Sequence, residues 1–162
     1  MIDLQSISSR DYAATDRPGC LAVFDTNVPT SFLPLERPSF EVYLDRLPGP
    51  YLVLEGESGI VACGGYAVAP GSTTADLCWG MVAREYQGHG VGRLLVELRV
   101  RQIRRDPSIT DIALKTSVDT CSFYEKLGFR TEQIVTNGIA VGRHLCDMRL
   151  VRGAEPRSTR QS

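Results

Sequence analysis

The segment that constrains the fold most runs from Trp79 to Leu95, where an apolar strand leads through a glycine-rich turn directly into a helix. Glycines occupy positions 88, 90 and 92. The helix keeps apolar residues at helical spacing as far as Ile103, and Pro107 stops it. A further strand is predicted at 111–116. A strand, a helix and a second strand in this order predict one parallel crossover within a sheet.

The chain on either side predicts the remaining elements. Before the turn we expect two helices that end near Asn27 and Pro48, and strands at 2–8, 51–54, 60–68 and 75–82. After 116 we expect a short helix at 119–127 and strands at 131–136 and 144–151. This order predicts an α+β (mixed α/β) fold. Its central sheet is twisted and mostly antiparallel, with about seven strands, one parallel crossover and about four flanking helices.

The composition is that of an ordinary globular protein. Its 162 residues predict a single domain over 1–152 and a flexible polar tail at 153–162. Lysine and arginine number 18 against 19 acidic residues, which argues against nucleic acid as a partner. No stretch reaches the ~18 apolar residues of a membrane-spanning helix, and the N-terminus lacks the basic start of a signal peptide. We therefore expect a cytoplasmic protein without a membrane partner.

The cysteines predict neither a disulfide framework nor a metal site. Five are present, an odd number at wide spacings without a C-x-x-C pair, and the chain has only two histidines. Reduced and mostly buried thiols in a cytosolic protein are therefore expected. Cys121 resembles a nucleophile only weakly, because no histidine is near it in sequence.

The glycine-rich turn suits the binding of an anion. The first N–H groups of a helix have no partner within the helix, and the helix dipole is positive there. A tight turn at a helix start is the plain alternative. The P-loop pattern is absent because the chain has no Gly-Lys pair, and the dinucleotide pattern G-x-G-x-x-G fails at Arg93.

The pattern that does fit is Q/R-x-x-G-x-G/A, which Gln87, Gly90 and Gly92 satisfy after a strand. At this point the sequence resembles the GNAT superfamily of N-acetyltransferases. The run Phe123–Phe129, which reads F-Y-E-K-L-G-F, resembles a second family segment at the expected distance downstream. The resemblance covers about residues 50–150, and the two helices before it also suit the family, whose first helices help to shape the acceptor site.

The resemblance implies an enzyme that uses acetyl-CoA. The cofactor pyrophosphate would lie on the backbone of the turn, and the pantetheine would pair with the main chain of the preceding strand. The implied binding residues are Met81, Val82, Gln87, Gly88, His89, Gly90, Val91, Gly92 and Arg93. Many members carry an asparagine at the position of Ser117, which touches the pantetheine, so this one contact is weakened here.

The resemblance also implies one catalytic residue. Tyr124 matches the family tyrosine that often protonates the departing CoA thiolate, and the plain alternative is a core tyrosine beside Phe123 and Leu127. The group that deprotonates the amine is less fixed, and the candidates are Asp25, Glu36, Glu55 and Asp76. Trp79 is expected in a groove wall or the core, and the arginines from Arg99 to Arg105 are expected on a solvated helix face.

The leading hypothesis is an acetyl-CoA-dependent N-acetyltransferase that acts by direct attack of an amine on the thioester. The acceptor would be an amine of a small molecule or a peptide. The alternatives are a non-catalytic acyl-CoA-binding regulatory module and a protein N-acetyltransferase. Family members are often dimers, so a homodimer is a further expectation by analogy.

Overall fold

The computed structural model describes residues 2–151, so the predicted tail at 153–162 lies outside the described residues. The helices are α1 (Arg17–Thr26), α2 (Arg37–Asp45), α3 (Val91–Ile103) and α4 (Cys121–Glu125). The strands are β1 (Ser8–Asp11), β2 (Tyr51–Gly56), β3 (Gly59–Val68), β4 (Thr74–Val82), β5 (Asp111–Ser117), β6 (Arg130–Ala140) and β7 (Arg143–Val151). The predicted order of elements is confirmed.

The strands form one seven-stranded sheet in the order β1-β2-β3-β4-β5-β7-β6. Strands β4 and β5 pair in parallel, with Thr74 opposite Asp111. Antiparallel pairs join β1 to β2, β2 to β3, β5 to β7 and β6 to β7. The predicted fold class and its parallel crossover are therefore confirmed. Helix α3 makes the crossover, because it is the element between β4 and β5.

The boundaries differ from the prediction at the two ends of the chain. The first strand begins only at Ser8, not at position 2, because Leu4–Ser6 form a 3-10 turn. The side chain of Asp3 caps this turn by accepting the Gln5 N–H at 2.9 Å. Helix α4 is shorter than expected, since the residues before Cys121 also form a 3-10 turn. Strand β6 extends to Ala140, because its pairing with β7 continues through two register shifts.

By its contacts the described chain forms two compact units. The first takes in the chain up to Val68 together with Cys78–Arg105, and the second takes in Ala69–Leu77 together with the chain from Asp106 onward. The single-domain organisation therefore stays a prediction. Within residues 2–151, no helix has the length and apolar character needed to span a membrane.

The first unit buries apolar side chains on both faces of its strands. Val53 and Cys63 pack into one cluster with residues of α1 and α2, and the neighbouring Leu54 and Ala62 pack into another with Val91 and Leu95 of α3. This alternation follows from the two-residue period of a strand. Burial of a valine or leucine side chain such as Val53 or Leu54 contributes about 1.5–3 kcal/mol. The helix and the strands that flank the glycine-rich turn are therefore held by well-packed cores.

One arginine of α3 departs from the predicted solvated face. Arg99 is 2% exposed, because it follows Leu95 by four residues and so lies on the same buried side of the helix. Arg101 is exposed, as expected. The prediction of a solvated Arg99 is wrong, since helical periodicity places this charged residue on the face that packs against the sheet.

In the second unit, β5 and β7 bury alternate residues, among them Leu114, Cys146 and Met148. Cys146 is joined in a disulfide to Cys121, the first residue of α4. The prediction of reduced thiols is therefore wrong for this pair. The two cysteines are 25 residues apart, and only the packing of the helix start against β7 brings them together. Cys20, Cys63 and Cys78 do not take part in a disulfide.

Candidate functional site

The glycine-rich turn leaves β4 at Val82 and enters α3 at Val91. Two of its residues have left-handed backbone, Gly88 with φ 77° and Gly90 with φ 85°. Glycine adopts this conformation without the steric cost that other residues incur. A side chain built at Gly88 would meet no atom within 4 Å, so the backbone of the turn is open on that side.

Gly90 is the N-cap of α3, and its carbonyl accepts the first intrahelical hydrogen bond, from the Leu94 N–H at 3.1 Å. The N–H groups of the three residues between them consequently have no acceptor within the helix. These groups and the positive end of the helix dipole lie next to the open turn. The arrangement suits a doubly charged phosphate group, which accepts several hydrogen bonds from main-chain N–H groups.

A buried asparagine at the end of α1 fixes the turn. Asn27 is 4% exposed and donates hydrogen bonds to the carbonyl oxygens of Val23 at 3.0 Å and Val82 at 2.9 Å. Its own side-chain oxygen accepts a hydrogen bond of 2.6 Å from Gln87. Gln87 also donates to the Val82 carbonyl at 3.0 Å. The end of α1, the end of β4 and the turn therefore form one hydrogen-bonded network.

Two further bonds hold the beginning of the turn. The Ala83 N–H donates to the carbonyl of Val61 at 2.8 Å, and the Arg84 N–H donates to the hydroxyl of Thr26 at 3.1 Å. Sequence reasoning identified Asn27 only as the end of a helix and missed its role. The signal that could have found it is a polar pair, Thr26-Asn27, directly after an apolar helix face, but its partners are 55 to 60 residues away.

The network changes what the end of β4 can offer to a ligand. The Val82 carbonyl already accepts from Asn27 and from Gln87, which uses both lone pairs of that oxygen. Met81 is 5% exposed, so its side chain belongs to the core. A ligand that pairs with the main chain here has to use groups of Met81 and Val82 other than this oxygen.

The side chains of the turn leave its backbone uncovered. Gln87, Gly88, His89, Gly90 and Arg93 are all exposed, and Val91 is buried. The Arg93 guanidinium forms an ion pair of 2.8 Å with Glu97, one helical turn further along α3. Both side chains of this ion pair are exposed.

The remaining predicted residues belong to the second unit. Tyr124 lies in α4, and its ring packs edge-on against Phe129, with the ring centres 5.7 Å apart. Its hydroxyl has no hydrogen-bond partner within residues 2–151. Ser117 ends β5, and its carbonyl accepts from the Thr120 hydroxyl at 2.9 Å. Tyr124 thus combines a packed ring with an uncommitted hydroxyl, which fits a role toward a ligand as well as a packing role.

The four candidate bases have different surroundings. Asp25 forms an ion pair of 2.9 Å with Arg37, and Glu55 forms one with Arg10. Glu36 accepts the Leu33 N–H at 2.6 Å and so caps a helical turn. Asp76 is exposed on β4. Asp76 is one of the residues that line a groove.

This groove lies on the exposed face of the second unit and has a volume of about 850 Å³. Its charged lining residues are Asp76, Lys115, Glu132, Asp147 and Arg149. The Arg149 guanidinium forms ion pairs with Asp111 and, at 2.9 Å, with Glu132. One carboxylate oxygen of Asp147 is buried without a hydrogen bond, and the Lys115 ammonium is 4.0 Å from it. The lining therefore carries three acids and two bases.

The fold and the turn together are those of an acetyltransferase. A family model described as the Acetyltransferase (GNAT) domain matches residues 48–131, more than half of the chain. The chain belongs to the GNAT family, whose members transfer acetyl groups to amines. The resemblance inferred from Gln87–Gly92 and Phe123–Phe129 is confirmed. No curated protein matches the chain.

Solved structures show the same fold at low sequence identity. A GNAT-family protein from Desulfovibrio desulfuricans superposes with a TM-score of 0.79 at 21% identity, covering 90% of this chain and 98% of that one. The ribosomal-protein-S18-alanine N-acetyltransferase from Escherichia coli gives 0.75 at 17% identity, with 96% and 99% covered. A spermidine N-acetyltransferase variant from Vibrio cholerae gives 0.71 at 15% identity, with 91% and 94% covered.

The Asn27 network leads to a testable expectation. Changing Asn27 to alanine should lower the free energy of unfolding by about 1–3 kcal/mol, because it leaves buried polar groups without partners. The affinity for CoA should fall as well, since the turn loses its anchor. Urea unfolding measures the first effect and calorimetry the second.

Changing Gln87 to alanine should reproduce the loss of affinity with a smaller loss of stability. An Asn27→Ala protein with lower stability and unchanged CoA affinity would contradict the anchoring role.

Proposed function

We propose that this GNAT protein is an acetyl-CoA-dependent N-acetyltransferase that acts on an amine of a small molecule or a peptide. The observation that carries the proposal is the anchored turn at the start of α3, in which Gly88 and Gly90 have left-handed backbone and the space beside Gly88 is open. A pyrophosphate fits this turn because it is an anion that accepts main-chain hydrogen bonds without requiring side chains.

In this proposal the residues of the turn have a binding role. The main-chain N–H groups from Gly88 to Gly92 hold the pyrophosphate, and Arg93 adds positive charge beside it. The Gln87 N–H already donates to the Arg84 carbonyl at 3.2 Å, so Gln87 contributes by anchoring the turn through its side chain. The main chain of Met81 and Val82 pairs with the pantetheine through groups other than the Val82 carbonyl oxygen. Ser117 is assigned to the same binding set. Bound acetyl-CoA supplies the thioester whose acetyl group is transferred.

Tyr124 has the chemical role. The amine nitrogen forms a bond to the acyl carbon, the carbon–sulfur bond breaks, and the leaving thiolate takes a proton. The Tyr124 hydroxyl has no partner within the described chain, so it is free to donate that proton. The amine loses its own proton to water or to a carboxylate, and exposed Asp76 is the candidate with open groove around it.

The acceptor is proposed only as a class. The similar structures include an enzyme named for an alanine of a ribosomal protein and one named for spermidine, so their acceptors range from proteins to small molecules. At identities of 15–17%, these likenesses carry the fold and not the acceptor. The proposal extends to a cytoplasmic enzyme, because acetyl-CoA is a cytoplasmic metabolite.

Ligand binding tests the cofactor directly. CoA at 100 times its dissociation constant should stabilise the folded protein by about 2.7 kcal/mol, because it binds only the native state. Differential scanning calorimetry should therefore show a higher Tm with CoA. Adenosine at the same concentration is the control, since it lacks the pyrophosphate and should give a smaller shift. An unchanged Tm at a large excess of CoA would count against the proposal.

Turnover separates an enzyme from an acyl-CoA-binding module. Acetyl-CoA is mixed with a panel of primary amines, amino acids and peptides, and free thiol is measured. An enzyme releases thiol only with certain amines and in proportion to acetylated product. If CoA binds and no amine gives product, the non-catalytic module becomes the better interpretation.

A further inference from the structure

Arg99 carries a charge inside the first unit without an acidic partner. Its side chain is among the most buried of the protein, at 2% exposure, and a guanidinium keeps its proton in proteins. Within residues 2–151, Arg99 forms no ion pair. Removing a charge from water is costly unless an opposite charge or good hydrogen bonds compensate it. An unpaired arginine in this position therefore requires an explanation.

The hydrogen bonds that Arg99 does make are few and long. Its Nε donates to the Leu95 carbonyl at 3.3 Å, and one terminal nitrogen, Nη1, donates to the Gly65 carbonyl at 3.3 Å. Such bonds usually measure 2.7–3.2 Å in proteins. Both of these bonds come from Nε and Nη1, and neither uses the other terminal nitrogen, Nη2. Up to three of the five N–H donors are left for a further group.

Two glycines make room for the guanidinium. A side chain at Gly80 would come within 2.8 Å of Nη2, and one at Gly64 within 3.2 Å of Nη1. The charged group therefore lies directly against bare backbone of β3 and β4, where most residues would exclude it. Gly80 immediately precedes Met81 and Val82, the residues proposed to hold the pantetheine.

The order of these sites along the chain relates Arg99 to the acyl group. The proposed pyrophosphate site is the turn after Val82, and the proposed pantetheine site is the end of β4. A ligand that continues in this direction reaches Gly80 next. Helix α3 starts at the turn, and Arg99 lies eight residues beyond Val91, or about 12 Å along the helix axis. Its guanidinium is therefore placed beyond the pantetheine, on the acyl side.

We propose that Arg99 binds a free carboxylate at the far end of the acyl group, so that the preferred donor is the CoA thioester of a dicarboxylic acid. The carboxylate accepts hydrogen bonds from the unused N–H donors and supplies the missing negative charge. Acetyl-CoA has no such group and leaves Arg99 unpaired. The inference rests on the proposed use of a CoA thioester and concerns only the choice of acyl group.

Direct binding tests the inference without an acceptor amine. Isothermal titration calorimetry compares acetyl-CoA, malonyl-CoA and succinyl-CoA on the unaltered protein. Because a charge-assisted hydrogen bond is stronger than a neutral one, the better of the two carboxylated thioesters should bind about tenfold to a hundredfold more tightly than acetyl-CoA. Equal affinity for all three thioesters would overturn the inference.

Variants then assign the preference to Arg99. In Arg99→Leu, the affinity for the preferred carboxylated thioester should fall to about the affinity for acetyl-CoA, so that their ratio is close to one. The affinity for acetyl-CoA should itself stay the same, since an apolar side chain can replace an unpaired buried charge. Arg101→Leu removes an exposed charge from the same helix and should keep the ratio of the unaltered protein. Arg99→Lys keeps the charge but lacks the planar pair of donors, so an intermediate ratio is expected. This variant and the unaltered protein decide the question if Arg99→Leu does not fold.

Two outcomes have distinct meanings. If Arg99→Leu folds and weakens all three thioesters equally, Arg99 is a packing residue and the inference is wrong. If CoA itself does not bind to the unaltered protein, the proposed function fails. Thiol release with malonyl-CoA and succinyl-CoA, compared with acetyl-CoA on an active amine, should show the same preference in kcat/KM.

Discussion

Replacing Gly90 by valine should weaken CoA binding about a hundredfold or more. The left-handed backbone at φ 85° positions the N–H groups at the start of α3, and a β-branched residue does not adopt it without strain. In the variant the turn loses two hydrogen bonds to the pyrophosphate, each worth about 1.5–3 kcal/mol. The dissociation constant for CoA therefore rises by about a hundredfold or more. Isothermal titration calorimetry with CoA measures the effect.

A matched control separates backbone strain from the loss of the site. Gly71 has a similar φ of 76°, and a side chain there would meet no atom within 4 Å. Gly71→Val should therefore carry a comparable strain of about 1–3 kcal/mol and keep its CoA affinity. A side chain at Gly90 would meet only the flexible end of Leu4, at 3.2 Å, so the variant should still fold. Equal CoA affinity in folded Gly90→Val and in the unaltered protein would reject the turn as the pyrophosphate site.

Replacing Tyr124 by phenylalanine should lower kcat about 10²–10⁴-fold, the usual contribution of general acid catalysis. The change removes only the hydroxyl, which has no partner within residues 2–151, and keeps the ring contact with Phe129. Stability and CoA affinity should therefore stay nearly constant. Steady-state kinetics with acetyl-CoA and an active amine, together with the Tm, provide the measurement.

Tyr12 provides the control for this change. It lies outside the proposed site, and Tyr12→Phe also removes a hydroxyl that has no hydrogen-bond partner in the described part of the chain. Its turnover should match that of the unaltered protein. If Tyr124→Phe loses stability and CoA affinity together, Tyr124 is a packing residue. Full turnover in Tyr124→Phe would remove it from the mechanism and leave water as the proton source.

The sequence predicted the chain of elements because their signals are local. Strand periodicity, the proline and glycine boundaries and the pattern Gln87-x-x-Gly90-x-Gly92 all lie within short segments. The parallel pairing of β4 with β5 could be predicted from the helix between them. A helix that connects two strands of one sheet provides the long crossover that parallel neighbours need. The first strand was misplaced, since a 3-10 turn at Leu4–Ser6 carries no apolar period that distinguishes it from a strand.

The site was predicted only in part, for the same reason. The turn and Tyr124 carry recognisable patterns, but the anchoring of the turn by Asn27 joins residues 55 to 60 positions apart. Likewise, the pairing of Cys121 with Cys146 depends on how α4 packs against β7. Contacts of this kind have no local signature, and so the thiols of these two cysteines were expected to be free.

By itself, the sequence determined the family, the order of the strands and helices and the location of a glycine-rich turn at a helix start, since each depends on residue types at short spacings. Only the tertiary structure decided which polar groups are committed and which remain available. It buried the charge of Arg99 against Gly64 and Gly80, and it used both lone pairs of the Val82 carbonyl. Burial and hydrogen bonding are properties of neighbours in space, and distant segments become neighbours only when the chain has folded.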